Sequence, residues 1–200
     1  MEKIDYKKIL DGLNGHGIKT TSPINFRVPN SLTAMYDAME YFIGPKFEWL
    51  PEYGQVAEWL KDNQGMGLCQ YGNNGTGKTV LVQRVIPLLL FHCCRKIVKC
   101  FNYYDLNTKT DSITSLRLLS IDDVGVESEG VVYGNKRWVF PEVMDIAEKC
   151  ESIVILSSNL DAKGFSRFNL RYYWSSEFSK FNCYGLFLQL PIQRKSRNSQ

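Results

Sequence analysis

Gly72-Asn73-Asn74-Gly75-Thr76-Gly77-Lys78-Thr79 sets glycines at three of six positions, then an ammonium and a hydroxyl side by side. That combination suits a polyanion. Glycines at 72, 75 and 77 take positive φ at little steric cost. Successive backbone N–H groups can then turn inward as an anion-binding nest. Lys78 adds a positive charge with reach, and Thr79 adds a hard oxygen suited to Mg²⁺. The spacing is that of the Walker A pattern, G-x-x-x-x-G-K-[ST]. In that pattern the loop holds the phosphates of a nucleoside triphosphate, Lys78 reaches the β and γ phosphates, and Thr79 ligates Mg²⁺. Gly72, Asn73, Asn74, Gly75, Thr76, Gly77, Lys78 and Thr79 are therefore the expected nucleotide-binding residues.

Two further segments can serve the same chemistry. Leu118-Leu119-Ser120-Ile121 is an apolar run that ends in Asp122-Asp123. An apolar strand followed by acids delivers carboxylates to the C-terminal edge of a sheet, where ligands of α/β proteins bind. Asp122 would hold Mg²⁺, and Asp123, one residue on, would polarise an attacking water as a base. The competing role for such a pair is a turn or helix cap. Asn159 follows a second apolar run, Ser152–Ser157. Its carboxamide can hydrogen-bond the attacking water or a γ-phosphate oxygen, although an Asn after a strand also suits a left-handed turn.

These residues need a scaffold of strand, loop and helix. Gly67–Tyr71 reads as a strand before the glycine loop, and Val80–Ile86 as a helix after it. Lys96–Asn102 alternates as a strand does. Phe140–Lys149 reads as a helix with Val143, Ile146 and Ala147 on one face and Pro141 in its first turn. The Ser152–Ser157 strand is expected between the two motif strands, and Tyr184–Leu190 as a last strand. Upstream, residues 31–43 read as a helix with Ser31 as N-cap and Leu32, Met35, Tyr36, Met39, Tyr41 and Phe42 at helical spacing. Gln55–Lys61 suggests another helix. Turn signals fall at Asp11-Gly12, Asn14-Gly15 and Ser22-Pro23. Alternating strands and helices imply an α/β fold, with a mostly parallel sheet covered by helices on both faces. The expected division is a helical leader at 1–64, packed on a nucleotide-binding domain at 65–200 that ends in a basic segment.

Bulk properties fit a soluble globular chain: 200 residues, 44% hydrophobic and 22% charged, with a formal net charge of +3. Residues 161–200 hold seven basic and two acidic side chains, so the positive excess sits at one end. Such a segment suits phosphates or nucleic acid, or simply solvent. The six cysteines form no C-x-x-C pair. Cys69, Cys93, Cys94 and Cys100 lie on apolar stretches and read as small hydrophobes. His16 and His92 read as incidental. With no secretory pattern at the start, a reducing, cytoplasmic setting is expected. The longest apolar run, Val85–Cys94, is too short to span a bilayer and contains Pro87, so no membrane role is expected.

A family resemblance rests on a larger set of residues. It comprises Val56-Ala57-Glu58-Trp59-Leu60, Gly65-Met66-Gly67-Leu68, Tyr71 through Thr79, Leu119-Ser120-Ile121-Asp122-Asp123-Val124-Gly125-Val126-Glu127, Tyr133-Gly134-Asn135-Lys136 and Ser157-Ser158-Asn159-Leu160. Together, over roughly residues 50–160, these resemble the DnaC/IstB-type AAA+ ATPases, which include bacterial and phage helicase loaders and ATP-binding subunits of transposition systems. The resemblance implies a P-loop NTPase sheet of the ASCE type, ATP and Mg²⁺ as cofactors, and ATP hydrolysis with Lys78, Asp123 and Asn159 as catalytic residues. It also implies Thr79 and Asp122 as metal ligands, oligomerisation around ATP, and a replicative DNA helicase and single-stranded DNA as partners.

The chain departs from that family at three places. The stretch between Phe101 and Leu118 is short. The second acid is Asp123 where many AAA+ proteins carry Glu. After the Asn159 strand, the family's Tyr-Gly-x-Arg segment and its arginine finger are replaced by Phe165–Trp174, where Arg167 and Arg171 are the candidate fingers. A further reading is that this end has diverged or arisen by a frameshift, which would leave the finger incomplete. Its aromatics, interleaved with Arg and Lys, could also stack bases of single-stranded nucleic acid. Four readings stand: a helicase loader, an IstB-like transposition subunit, an ATP-gated adaptor with little hydrolysis, and a small-molecule kinase. Asp122-Asp123 and Asn159 argue against the kinase.

Overall fold

The structure is a computed structural model. It describes residues 5–16, 24–72, 74–106, 113, 116–125, 131–132, 135–136, 139–160, 163–164 and 189–190. In chain order the helices are α1 (Tyr6–Gly15), α2 (Ser31–Ile43), α3 (Tyr53–Lys61), α4 (Lys78–Val80), α5 (Ile86–Cys94) and α6 (Val139–Lys149). The strands are β1 (Leu68–Gly72), β2 (Lys99–Asn102), β3 (Leu118–Asp122), β4 (Val131–Val132), β5 (Asn135–Lys136), β6 (Ile153–Ser158) and β7 (Gln189–Leu190).

Five strands form one sheet in the order β2-β3-β6-β1-β7, with every pairing parallel. β4 and β5 form a separate antiparallel pair. The strand that carries Asn159 at its end therefore lies between the strands that carry the glycine loop and the acid pair, as expected. Buried strands need apolar residues on both faces, and β3 and β6 are buried throughout. One face, with Leu68, Leu118, Ile153 and Ile155, packs under α2, α3 and the helix that follows the glycine loop. The other, with Cys69, Leu119, Ile121, Val154 and Leu156, packs against Phe140, Val143, Met144 and Ala147 of α6. Helices thus cover both faces.

Local details differ from the sequence reading. α1 runs through both turn signals at 11–15. Ser31 is the first residue of α2 rather than its cap. Asn30 precedes it at φ 49° and ψ 40°, and no side chain caps the helix. The buried face of α2 is Ser31, Met35, Ala38 and Met39, whereas Leu32, Tyr36 and Tyr41 are exposed. Cys93 and Cys100 are exposed, and only Cys69 of the described cysteines is fully buried. β7 is described only at Gln189–Leu190, so the rest of the expected last strand, Tyr184–Leu188, lies outside the described residues. A polar tie holds the leading segment in place. Asn63, fully buried, accepts the Phe26 N–H at 2.8 Å and donates to the Ile24 carbonyl at 3.0 Å.

The helix after the glycine loop is not uniform. Leu81–Val85, between α4 and α5, is a π turn. Pro87 supplies the cause: it has no N–H for the Gln83 carbonyl, and its ring crowds that turn. The Ile86 N–H reaches back five residues to the Leu81 carbonyl. The Val82 carbonyl is released, and Ser120 Oγ of β3 donates to it at 2.8 Å. Gln83 itself donates through Nε2 to the Phe101 carbonyl of β2 at 3.0 Å. A Ser120→Ala substitution leaves the Val82 carbonyl buried and unsatisfied. It is expected to lower stability by about 1–3 kcal/mol in a urea titration.

Candidate functional site

The glycine loop joins the C-terminal end of β1 to α4. Its backbone takes the conformations that only glycine adopts freely: Gly77 lies at φ 73° and Gly75 at φ 85°. At Gly77 the space is also closed. A Cβ there would meet the Tyr53 hydroxyl at 2.9 Å and Met39 Cε at 3.2 Å. Lys78 folds back across the loop, donating from Nζ to the Gly72 carbonyl at 2.9 Å and to Thr76 Oγ1 at 3.2 Å. Burial pushes its pKa down, while Asp123 and Asp122 pull it back up. The acid pair therefore lies within electrostatic reach of the lysine. Thr79 is exposed on the first turn of α4, and Asn74 and Gly75 are exposed in the loop. Asn73 lies outside the described residues.

Asp122 is the last residue of β3 and is buried. Asp123 leaves the strand at φ 59°, a left-handed conformation that Asp tolerates better than most side chains. That turn separates the two carboxylates. Ser157 of β6 joins them: its hydroxyl donates to Asp122 Oδ1 and accepts the Asp123 N–H at 3.2 Å. Asn159 Nδ2 donates to Asp123 Oδ1 at 2.5 Å. Burial raises the Asp123 pKa first, Asp122 raises it further, and Asn159 and Lys78 oppose the rise. The turn is held by two more bonds, from the Val124 N–H to the Ser157 carbonyl at 2.8 Å and from Ser158 Oγ to the Val124 carbonyl at 2.6 Å. Gly125, at φ 90°, completes it, because a Cβ there would sit 2.5 Å from Leu160 Cδ1.

The loop, the acid pair and Asn159 thus share the C-terminal edge of one parallel sheet. Thr79 and Asp122 offer oxygen donors of the kind Mg²⁺ takes when phosphates supply further ligands. Among the described residues, no group of three or more His, Cys, Asp or Glu could hold a metal ion. Two site residues escaped the sequence reading. Ser157 stands in the Ser157–Leu160 run of the family resemblance and at the hydroxyl-bearing end of an otherwise apolar strand, but neither assigns it a role. Tyr53, which donates to the Thr76 carbonyl at 2.8 Å, carries no local signal. Arg167 and Arg171 lie outside the described residues.

No family model and no curated protein matches the chain. Solved structures do. The crystal structure of the DnaC helicase loader superposes with a TM-score of 0.50 at 16% identity, over 82% of this chain and 93% of that one. AMPPCP-bound DnaA from Aquifex aeolicus gives a TM-score of 0.51 at 19% identity, over 78% of this chain and 53% of that one. What the chain shares with these two proteins is the fold, a parallel α/β sheet covered by helices. The chain spans about half the length of the DnaA chain and nearly all of the DnaC one. Among its described residues, no helix is long and apolar enough to cross a membrane.

Proposed function

We propose that this chain is an ATPase that acts as a helicase loader in DNA replication. One observation carries the ATPase part: the glycine loop, Lys78, the Asp122-Asp123 pair and Asn159 meet at one sheet edge. In this reading the backbone N–H groups of residues 72–79 and Lys78 hold the triphosphate. Thr79 and Asp122 hold Mg²⁺, which when bound neutralises charge on the phosphates. Asp123 takes a proton from the attacking water, and Asn159 orients the Asp123 carboxylate through its 2.5 Å bond. Ser157 keeps the two acids apart in role, fixing Asp122 by its side chain and Asp123 by its backbone. Residues 1–64 serve as the leader and 65–200 as the ATPase domain.

The loader role rests on the motif run Ile121–Glu127 and on the fold shared with the DnaC helicase loader. It entails a replicative helicase and single-stranded DNA as partners, and assembly around ATP. The AMPPCP-bound DnaA structure supports adenine nucleotide as the ligand.

The direct test is ATP turnover with and without single-stranded DNA, joined to ATP-dependent co-elution with a replicative helicase. Turnover stimulated by DNA, with helicase capture, is the expected result. ATP binding without turnover or helicase capture would leave an ATP-gated adaptor instead. Substituting Asn159→Ala is expected to lower kcat about ten- to a hundredfold. The ATP dissociation constant should stay within about twofold, because Asn159 reaches the base rather than the phosphate loop.

A further inference from the structure

The phosphate loop is braced from outside the motif. Tyr53 is the first residue of α3, and its ring packs in a three-ring cluster with Phe47 and Trp49. Phe47 stacks on it at 6.2 Å with an interplanar angle of 20°, and Trp49 meets it edge-on at 5.4 Å. The residue is 3% exposed, yet its hydroxyl is satisfied, donating to the Thr76 carbonyl at 2.8 Å. Burial, then the neighbouring Glu52, pushes its pKa up to about 12. The hydroxyl therefore remains a donor at any working pH.

The geometry of a peptide bond gives that contact a consequence. In a planar trans peptide the carbonyl of one residue and the N–H of the next point in opposite directions. Holding the Thr76 carbonyl toward Tyr53 turns the Gly77 N–H the other way. In a loop that binds phosphate through its N–H groups, that is the inward direction. Gly77 itself lies at φ 73°, and the same hydroxyl fills the place its Cβ would need. The hydroxyl thus sets the orientation of the peptide, and glycine is the residue that permits the approach.

We infer that Tyr53 is a positioning residue for triphosphate binding, acting through the Thr76–Gly77 peptide rather than by touching the ligand. The inference rests on the reading of residues 72–79 as the phosphate site. It differs from a packing role, because the ring alone would satisfy packing.

Tyr53→Phe removes the hydroxyl and keeps the ring packed on Phe47 and Trp49. Calorimetric titration of the folded full-length chain with ATP is expected to show an affinity about three- to tenfold weaker than wild type, the worth of one hydrogen bond. The temperature rise that saturating ATP gives in a melt should shrink in parallel. A purely structural role predicts a lower melting temperature without ATP and an unchanged ATP dissociation constant, and that result overturns the inference. The two readings fail separately. A wild-type chain that does not bind ATP sinks the phosphate site. A wild-type chain that binds, beside a Tyr53→Phe variant that binds equally well, sinks only the role of Tyr53.

Discussion

Replacing Lys78 with alanine is expected to weaken ATP binding by more than about a hundredfold. Hydrogen bonds from a charged group to a partner are worth about 1.5–3 kcal/mol each, and two such bonds to phosphate oxygens exceed the roughly 2.7 kcal/mol that a hundredfold represents. The same ammonium now holds the Gly72 carbonyl and Thr76 Oγ1. Its removal also loosens the loop itself. Lys78→Met keeps the buried stem and isolates the loss of charge. Titration with a non-hydrolysable ATP analogue checks both variants. Wild-type affinity in either would remove the phosphate-site assignment.

The second large effect falls on turnover rather than binding. Asp123→Asn should reduce the rate of ATP hydrolysis about 10²- to 10⁴-fold, the usual worth of a positioned general base. The substitution is well suited to the position. Asp123 sits at φ 59°, and Asn shares the tolerance of Asp for left-handed backbone. The turn from Asp123 to Gly125 should form unchanged, held from the Ser157 and Ser158 side. ATP affinity should stay near wild type, since the carboxylate is asked to act on water. Single-turnover phosphate release measures the chemical step alone. A variant that hydrolyses ATP at the wild-type rate would pass the role of base to another group.

The parts of this site that are legible in the sequence are those with a periodic or local cause. Glycines at 72, 75 and 77 announce a loop because positive φ costs glycine less than any other residue. The apolar runs at 118–121 and 152–157 announce buried strands because parallel sheets are covered on both faces. Asp122 and Asn159 follow as the residues such strands present at their ends. Ser157 and Tyr53 have no such cause. Ser157 acts across to a strand some 35 residues away in the chain, and its value depends on the pairing of β3 with β6. Tyr53 stands in an aromatic-rich stretch with no helical or strand period, and only the folding of α3 against the loop gives its hydroxyl a target. Pro87 is visible in the sequence. The π turn it provokes and the carbonyl it frees for Ser120 are settled by packing on β3.

The bond from Ser120 to the Val82 carbonyl bears on how the site meets its ligand. Ser120 is two residues before Asp122 on the same strand, and Val82 is three residues after Thr79 on the same helical run. The two proposed Mg²⁺ ligands are thus attached to elements already fastened to each other. Their relative placement is preorganised during folding, so little ordering entropy remains to be lost when nucleotide arrives. It also makes the pair mechanically coupled. A protein partner that levers the loop helix away from the sheet would draw Thr79 from Asp122 in the same motion, and so would govern nucleotide release from a distance.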